Sequence, residues 1–167
     1  HLNPYELEVA LRSFTKLAAA LTPKRRSTLQ LQLIDNGQQR LLIQRLLERF
    51  KLTSYATVTE DLIAVANRCT VLLSPTLRLD RDLLQSVMAA GVPVLSYESN
   101  HVNQYIDTSC GILIPYRSGE PAVEQFSTYL NMLFFDPEAQ RFLQKGARRR
   151  SQRKAIQLPA ASLSLAS

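Results

Sequence analysis

Four charged side chains and a hydroxyl crowd one short stretch. Arg78, Asp80, Arg81, Asp82 and Ser86 all fall between Ser74-Pro75 and Ala89-Ala90-Gly91. The stretch begins where the apolar run Val71–Leu73 stops. It continues through a helix-period segment entered at Leu83 and ends at a second apolar run, Val92–Leu95. Strand, loop, helix and strand in that order make a βαβ unit. In an open parallel sheet, ligands sit beyond the carboxyl ends of the strands, where loops feed helix N-termini whose free N–H groups attract anions. The loop Ser74–Asp82 is therefore the first place to expect a site, and capture of an anionic group is the chemistry it suits. A second loop, Asp35-Asn36-Gly37, follows the alternating run Leu29–Ile34. Asn36 and Gly37 there either face the same cleft or simply turn the chain. No Ser-His-Asp set, catalytic carboxylate pair or metal-ligand spacing occurs, and His1 and His101 are the only histidines. Neither self-contained hydrolysis nor a metal centre is expected.

The elements that must position these residues read from periodicity. Asn3-Pro4-Tyr5-Glu6 has the residues of a capped helix start, and Leu7, Leu11, Phe14, Ala18 and Leu21 then recur on one face. The next helix is expected over Gln38–Phe50, carrying Leu41, Leu42, Ile43, Leu46, Leu47 and Phe50. A weaker strand follows over Tyr55–Val58, and Thr59 is expected to cap a helix over Glu60–Asn67. After the central unit come a helix over Asn100–Ile106, a strand over Gly111–Ile114 and a helix over Pro121–Phe135 burying Val123, Phe126, Leu130 and Phe134. A final helix starts at Asp136-Pro137 and bears Phe142 and Leu143. This alternation predicts an α/β, Rossmann-like parallel sheet of five or six strands with helices on both faces. Residues 1–157 are expected to form one domain, and 158–167, Ala/Ser-rich and uncharged, a disordered tail.

No apolar run approaches the ~20 residues that span a bilayer. The polar, helix-patterned start does not read as a secretory leader; with its first residue His1, the chain is expected to be a piece of something longer. Cys69 and Cys110 adjoin apolar strands and are expected to be buried, reduced thiols. The formal net charge is +6, and the excess lies in Lys145, Arg148, Arg149, Arg150, Arg153 and Lys154. This cluster suits an anionic membrane, nucleic acid or an acidic partner, or is a solvated terminal helix.

The segments Val71-Leu-Leu-Ser-Pro-Thr76 and Met88-Ala-Ala-Gly-Val-Pro-Val-Leu-Ser96 resemble the C-terminal domain of glycosyltransferase family 4, the group 1 glycosyl transferases. Cys110-Gly-Ile-Leu-Ile-Pro115, Asp136-Pro-Glu138, Leu33-Ile-Asp-Asn-Gly37 and Thr57-Val-Thr-Glu-Asp-Leu62 follow the same family's order over residues 28 to 150. The resemblance implies one half of a GT-B architecture, a nucleotide-sugar-binding domain paired with an N-terminal Rossmann-like domain. It implies a UDP- or GDP-sugar as substrate, no cofactor, and a cytoplasmic protein, peripheral at the inner membrane face; nucleic acid is not expected as a partner. The family's two glutamates, separated by seven residues, map to Arg78 and Ser86, so neither is present and the motif is degenerate. Donor and phosphate contacts would fall to Arg78, Arg81, Asp82, Leu83 and Ser86, with Asn36 and Gly37; Asp80 and Asp82 oppose phosphate while Arg78 and Arg81 offset them. Three functions remain open at this point. The chain is half of a sugar-transferring enzyme, inactive by itself; or a catalytically silent scaffold or regulatory subunit in polysaccharide or glycoprotein assembly; or a membrane or nucleic-acid binder acting through Lys145–Lys154.

Overall fold

The computed structural model describes residues 3–157, with side chains described to Arg153. The expected tail 158–167 and the side chain of Lys154 lie outside the described residues. The elements run α1 (Pro4–Ala20), α2 (Pro23–Arg26), β1 (Leu31–Ile34), α3 (Arg40–Arg49), β2 (Ala56–Thr59), α4 (Leu62–Ala66) and β3 (Leu72–Ser74). Then follow α5 (Arg81–Ala89), β4 (Val94–Tyr97), α6 (Asn100–Asn103), β5 (Gly111–Ile114), α7 (Glu120–Phe135) and α8 (Pro137–Gln157).

α1 starts as its sequence predicts. The Asn3 side chain accepts from the Glu6 amide at 2.9 Å, and the Glu6 carboxylate accepts from the Asn3 amide at 2.8 Å, a reciprocal capping box. Its apolar face, with Leu7, Leu11, Phe14 and Ala18, is buried. It lies along α7, where Arg12 and Lys16 pair with Glu120, Lys16 also reaches Glu124, and the Tyr5 hydroxyl accepts from the Gly119 amide at 2.6 Å. These exposed ion pairs set register more than they add stability.

The five strands among the described residues are all parallel. They form two hydrogen-bonded ladders rather than one: β1 with β2, and β3–β4–β5 in that order. Between β1 and β3 lies an apolar cavity of about 260 Å³, lined among others by Leu11, Phe14, Leu33, Val71, Leu73 and Leu130. β4 is buried on both faces: Leu95 and Tyr97 join the cluster built on α1 and α7, and Val94 joins Leu84, Met88, Val102 and Ile106 on the other side. Two-sided burial is what an unbroken apolar run in a parallel sheet predicts.

Several expectations shift. α4 is capped by Asp61, whose carboxylate accepts from the Ala64 amide at 2.9 Å; Thr59 instead accepts from the Asp61 amide at 3.1 Å. Leu41 is 72% exposed, because it lies roughly 200° around the helix from Ile43, and Ile43, Leu46 and Leu47 form the buried face. Phe134 and Phe142 are exposed, while their neighbours Leu133 and Leu143 are buried in their place. Both cysteines are free, but only Cys110 is buried; Cys69 is half-buried beside the β1–β3 cavity.

Two glycines set how the last helices pack. Gly91 (φ +81°) ends α5 in a Schellman motif: its amide donates to Met88 O at 2.9 Å and the Val92 amide to Val87 O at 3.0 Å. Gly146, buried within α8, lets that helix touch the loop before β5, where a methyl group would overlap the Ser109 carbonyl. Because backbone cannot yield as a side-chain end can, Gly146→Ala is expected to destabilise the fold by about 1–3 kcal/mol or more. A chemical denaturation midpoint equal to that of the unchanged chain would refute this account of the α8 seat.

Candidate ligand pocket at the carboxyl ends of the strands

The segment between β3 and α5 is fastened by its neighbours. Ser96 Oγ donates to Thr76 O (3.1 Å), Ser99 Oγ to Leu77 O (2.7 Å), and His101 Nε2 meets Leu79 O (3.1 Å). Within the segment, Thr76 Oγ1 accepts from the Arg78 amide (3.2 Å) and donates to Arg78 O (3.1 Å). The carbonyls are thus turned toward β4 and α6. At the far end, the Asp80 carboxylate accepts from the Leu83 amide at 2.8 Å and caps α5.

This segment forms one wall of a pocket of about 400 Å³ at the carboxyl ends of β1 and β3. The opposite wall is the β1–α3 turn. There buried Asp35 accepts from the amides of Gly37 (3.0 Å) and Gln39 (3.3 Å). Ligands of open α/β sheets occupy such a crevice.

Of the expected site residues, Asn36, Arg78 and Leu83 line the pocket. The Leu83 amide is already bound to Asp80, so it is not offered to a ligand. Gly37 (φ +90°) makes the turn beside the pocket. Arg81 and Asp82 are exposed in the first turn of α5, outside the lining. Ser86 lies one turn further on, and its hydroxyl donates to Asp82 O at 2.9 Å. Arg78 and Ser86 are therefore not brought together. Asp35, Glu60 and Thr76, which line the pocket, were not among the expected site residues. Their signal was position: Asp35 is the first polar residue past β1, and Thr76 follows Ser74-Pro75 at the end of β3. The lining sets three carboxylates, Asp35, Glu60 and Asp80, against the guanidinium of exposed Arg78, which enters no salt bridge among the described residues.

The basic segment divides. Arg148 Nη2 donates to Ala90 O (3.4 Å), and its guanidinium covers Gly91. Arg150 donates to the carbonyls of Tyr105 and Gln104 (both 3.3 Å) and pairs with Asp107 at 3.3 Å. These two fasten α8 to the domain itself. Lys145, Arg149 and Arg153 are exposed.

No protein family and no curated protein matches the chain by sequence. Solved structures do match by fold. The pneumococcal O-GlcNAc transferase GtfA, solved with UDP and GlcNAc, superposes with a TM-score of 0.73 at 12% identity over 89% of this chain and 30% of its own. WaaG, a glycosyltransferase involved in lipopolysaccharide biosynthesis, gives 0.68 at 22% identity over 84% of this chain and 38% of its own. The C-terminal domain of LpcC, a glycosyl transferase group 1 family protein from Francisella tularensis, gives 0.65 at 14% identity over 92% of this chain and 82% of its own. At such identities the likeness is one of fold: the chain has the architecture of one Rossmann-like domain of GT-B glycosyltransferases and spans about a third of the length of GtfA and WaaG.

Two outcomes follow from the contacts around the pocket and α8. Asp80→Ala removes the α5 cap and is expected to lower stability by about 1 kcal/mol, read by urea titration. The Asp107 carboxyl is held below its ordinary pKa by the Ser109 hydroxyl (2.6 Å) and amide (2.9 Å), with Arg150 adding to the effect. A lowered carboxyl pKa stabilises the fold above its ordinary value, and that contribution disappears as pH falls through the lowered one. Asp107→Asn should therefore reduce stability near neutrality by less than about 1 kcal/mol, the pair being partly solvated, and should make no difference below the lowered pKa. An equal loss at both ends of the pH range would contradict this.

Proposed function

We propose that this chain is the donor-side half of a two-domain glycosyltransferase of the GT-B kind. It would hold a UDP- or GDP-sugar while a second Rossmann-like domain presents a glycan, lipid-linked or protein acceptor. The observation that carries the reading is the pocket of about 400 Å³ at the carboxyl ends of β1 and β3, beside the N-terminus of α5, in a fold shared with an enzyme solved with UDP and GlcNAc. Transfer from such a donor leaves negative charge on the departing diphosphate. Arg78 and the amides opening α5 are the groups here that would stabilise it. Polysaccharide or glycoprotein assembly in the cytoplasm is the setting this chemistry suits.

A specific observation favours a second reading, a scaffold that keeps the fold without transfer. Asp80 occupies the α5 N-terminus and, with Asp35 and Glu60, outnumbers Arg78. Where the family resemblance would put a charged donor contact, the chain has Ser86, outside the pocket lining and with its hydroxyl on Asp82 O; loss of one charged hydrogen bond costs ~1.5–3 kcal/mol, one to two powers of ten in affinity.

Calorimetry with UDP and GDP separates the readings. The unchanged chain is expected to bind weakly. Asp80→Gly, which keeps a tolerated cap residue and frees the Leu83 amide, is expected to bind roughly tenfold more tightly. If neither protein binds either nucleotide, the donor reading fails and the scaffold stands. Submicromolar binding by the unchanged chain would instead refute the argument that Asp80 opposes phosphate.

A further inference from the structure

The outward face of α8 carries charge that the fold leaves unanswered. Residues four apart lie on successive turns of one helical face. Arg141, Lys145, Arg149 and Arg153 have that spacing; all four are exposed, and none enters a salt bridge among the described residues. The sequence of α8 contains no acid after Glu138, so each cation in the row has a like charge as its neighbour, which weakens the helix where it stands. Arg148 and Arg150 do not belong to this row, since the domain's own carbonyls and Asp107 hold them.

One large apolar side chain interrupts the row. Phe142 lies roughly 20° around the helix from Arg149 and is 62% exposed. It borders an open groove of about 610 Å³ with Met132, itself 39% exposed, and Leu113. Phe135, two residues before α8 begins, is 46% exposed, with the guanidinium of Arg25 over its ring at 4.9 Å. Basic side chains interspersed with exposed apolar ones are the pattern of a helix that lies in the plane of a membrane interface. Phosphates along a nucleic-acid duplex would answer the cations but leave the phenyl rings in water; a bilayer interface answers both.

We infer that the outer face of α8 is a docking surface for anionic lipid, with Arg141, Lys145, Arg149 and Arg153 on the headgroups and Phe142 inserted below them. Four cations fall within the range at which helices recognise acidic phospholipids. Among the described residues, no helix is long and apolar enough to cross a membrane, and one such face gives reversible attachment.

The chain contains no tryptophan, so Phe142→Trp places a single emitter on the face. With vesicles of phosphatidylcholine and phosphatidylglycerol in equal parts at low salt, this variant is expected to sediment with the lipid and its emission to shift to the blue. Vesicles of phosphatidylcholine alone should produce neither effect, and high salt should reverse both. Changing Arg141, Lys145, Arg149 and Arg153 together to Ser, all exposed positions, should weaken attachment by roughly a thousandfold while circular dichroism stays unchanged. No sedimentation at low salt overturns the inference. So does sedimentation without a blue shift, or sedimentation that survives the four-Ser change, since the contact would then lie elsewhere. Tighter binding to duplex DNA than to the anionic vesicles, at equal salt, overturns it in favour of nucleic acid.

Discussion

The pocket depends on β4. Because this strand is buried on both faces, its position is fixed by packing, and the side chains at and just beyond its end hold the neighbouring loop. Ser96, Ser99 and His101 each bind a carbonyl of the β3–α5 segment. A single such bond is worth only about 1 kcal/mol net, but a buried acceptor left unmade costs ~1–3 kcal/mol. Three carbonyls answered from one direction orient the loop, and with it the start of α5 that the pocket opens beside. The same end of β4 supports Tyr97, whose ring packs edge-on against Phe126 and Tyr116 and whose hydroxyl donates to Arg117 O at 3.0 Å. Pocket wall and core are therefore consequences of one buried strand.

A helix N-terminus attracts anions only while its amides are free. In α5 the strongest local competitor for them is covalently part of the chain: Asp80 is an effective cap because it is already where a phosphate would be. Helix stability and anion capture thus draw on the same donors. The β1–α3 turn repeats the arrangement, with Asp35 taking the amides of Gly37 and Gln39. Carboxylates thus take one amide at the start of α5 and two in the turn that leads into α3.

The sequence was most readable where one period decides the outcome. The capping box of α1, the 3.6-residue faces of α1 and α7, and the continuous apolar runs of β4 and β5 follow from local pattern, and alternation of the two periods gave the parallel α/β class. Local pattern failed where a choice depends on distant contacts. Phe142 and Leu143 are equally apolar neighbours, and only the shape of the core decides which one turns inward. Asp61 rather than Thr59 caps α4, because the helix starts two residues later than its first acid suggested. Ser86 was placed in the site by counting along a motif, yet counting says nothing of the helix face on which a residue falls. Asp35 and Thr76 were visible as polar residues ending apolar runs, the one positional signal that pointed at the pocket without analogy.

The basic segment shows how tertiary contact changes the meaning of charge. Read as composition, the cations from Lys145 to Arg153 are alike, and their mutual repulsion argues for an external counterpart. In the fold they separate by what they touch. Arg148 and Arg150 spend their hydrogen bonds on carbonyls at the end of α5 and around α6, groups that would otherwise need water. Gly146 permits the close approach that brings them within reach. With Arg150 paired to Asp107 and Arg148 bound to the Ala90 carbonyl, the remaining cations lie along one face rather than around the helix. A concentrated row acts on a flat anionic surface through all of its members at once, whereas the same charges spread around the axis would present only one or two at a time. The packing that holds Arg148 and Arg150 is thus what gives the other cations their direction.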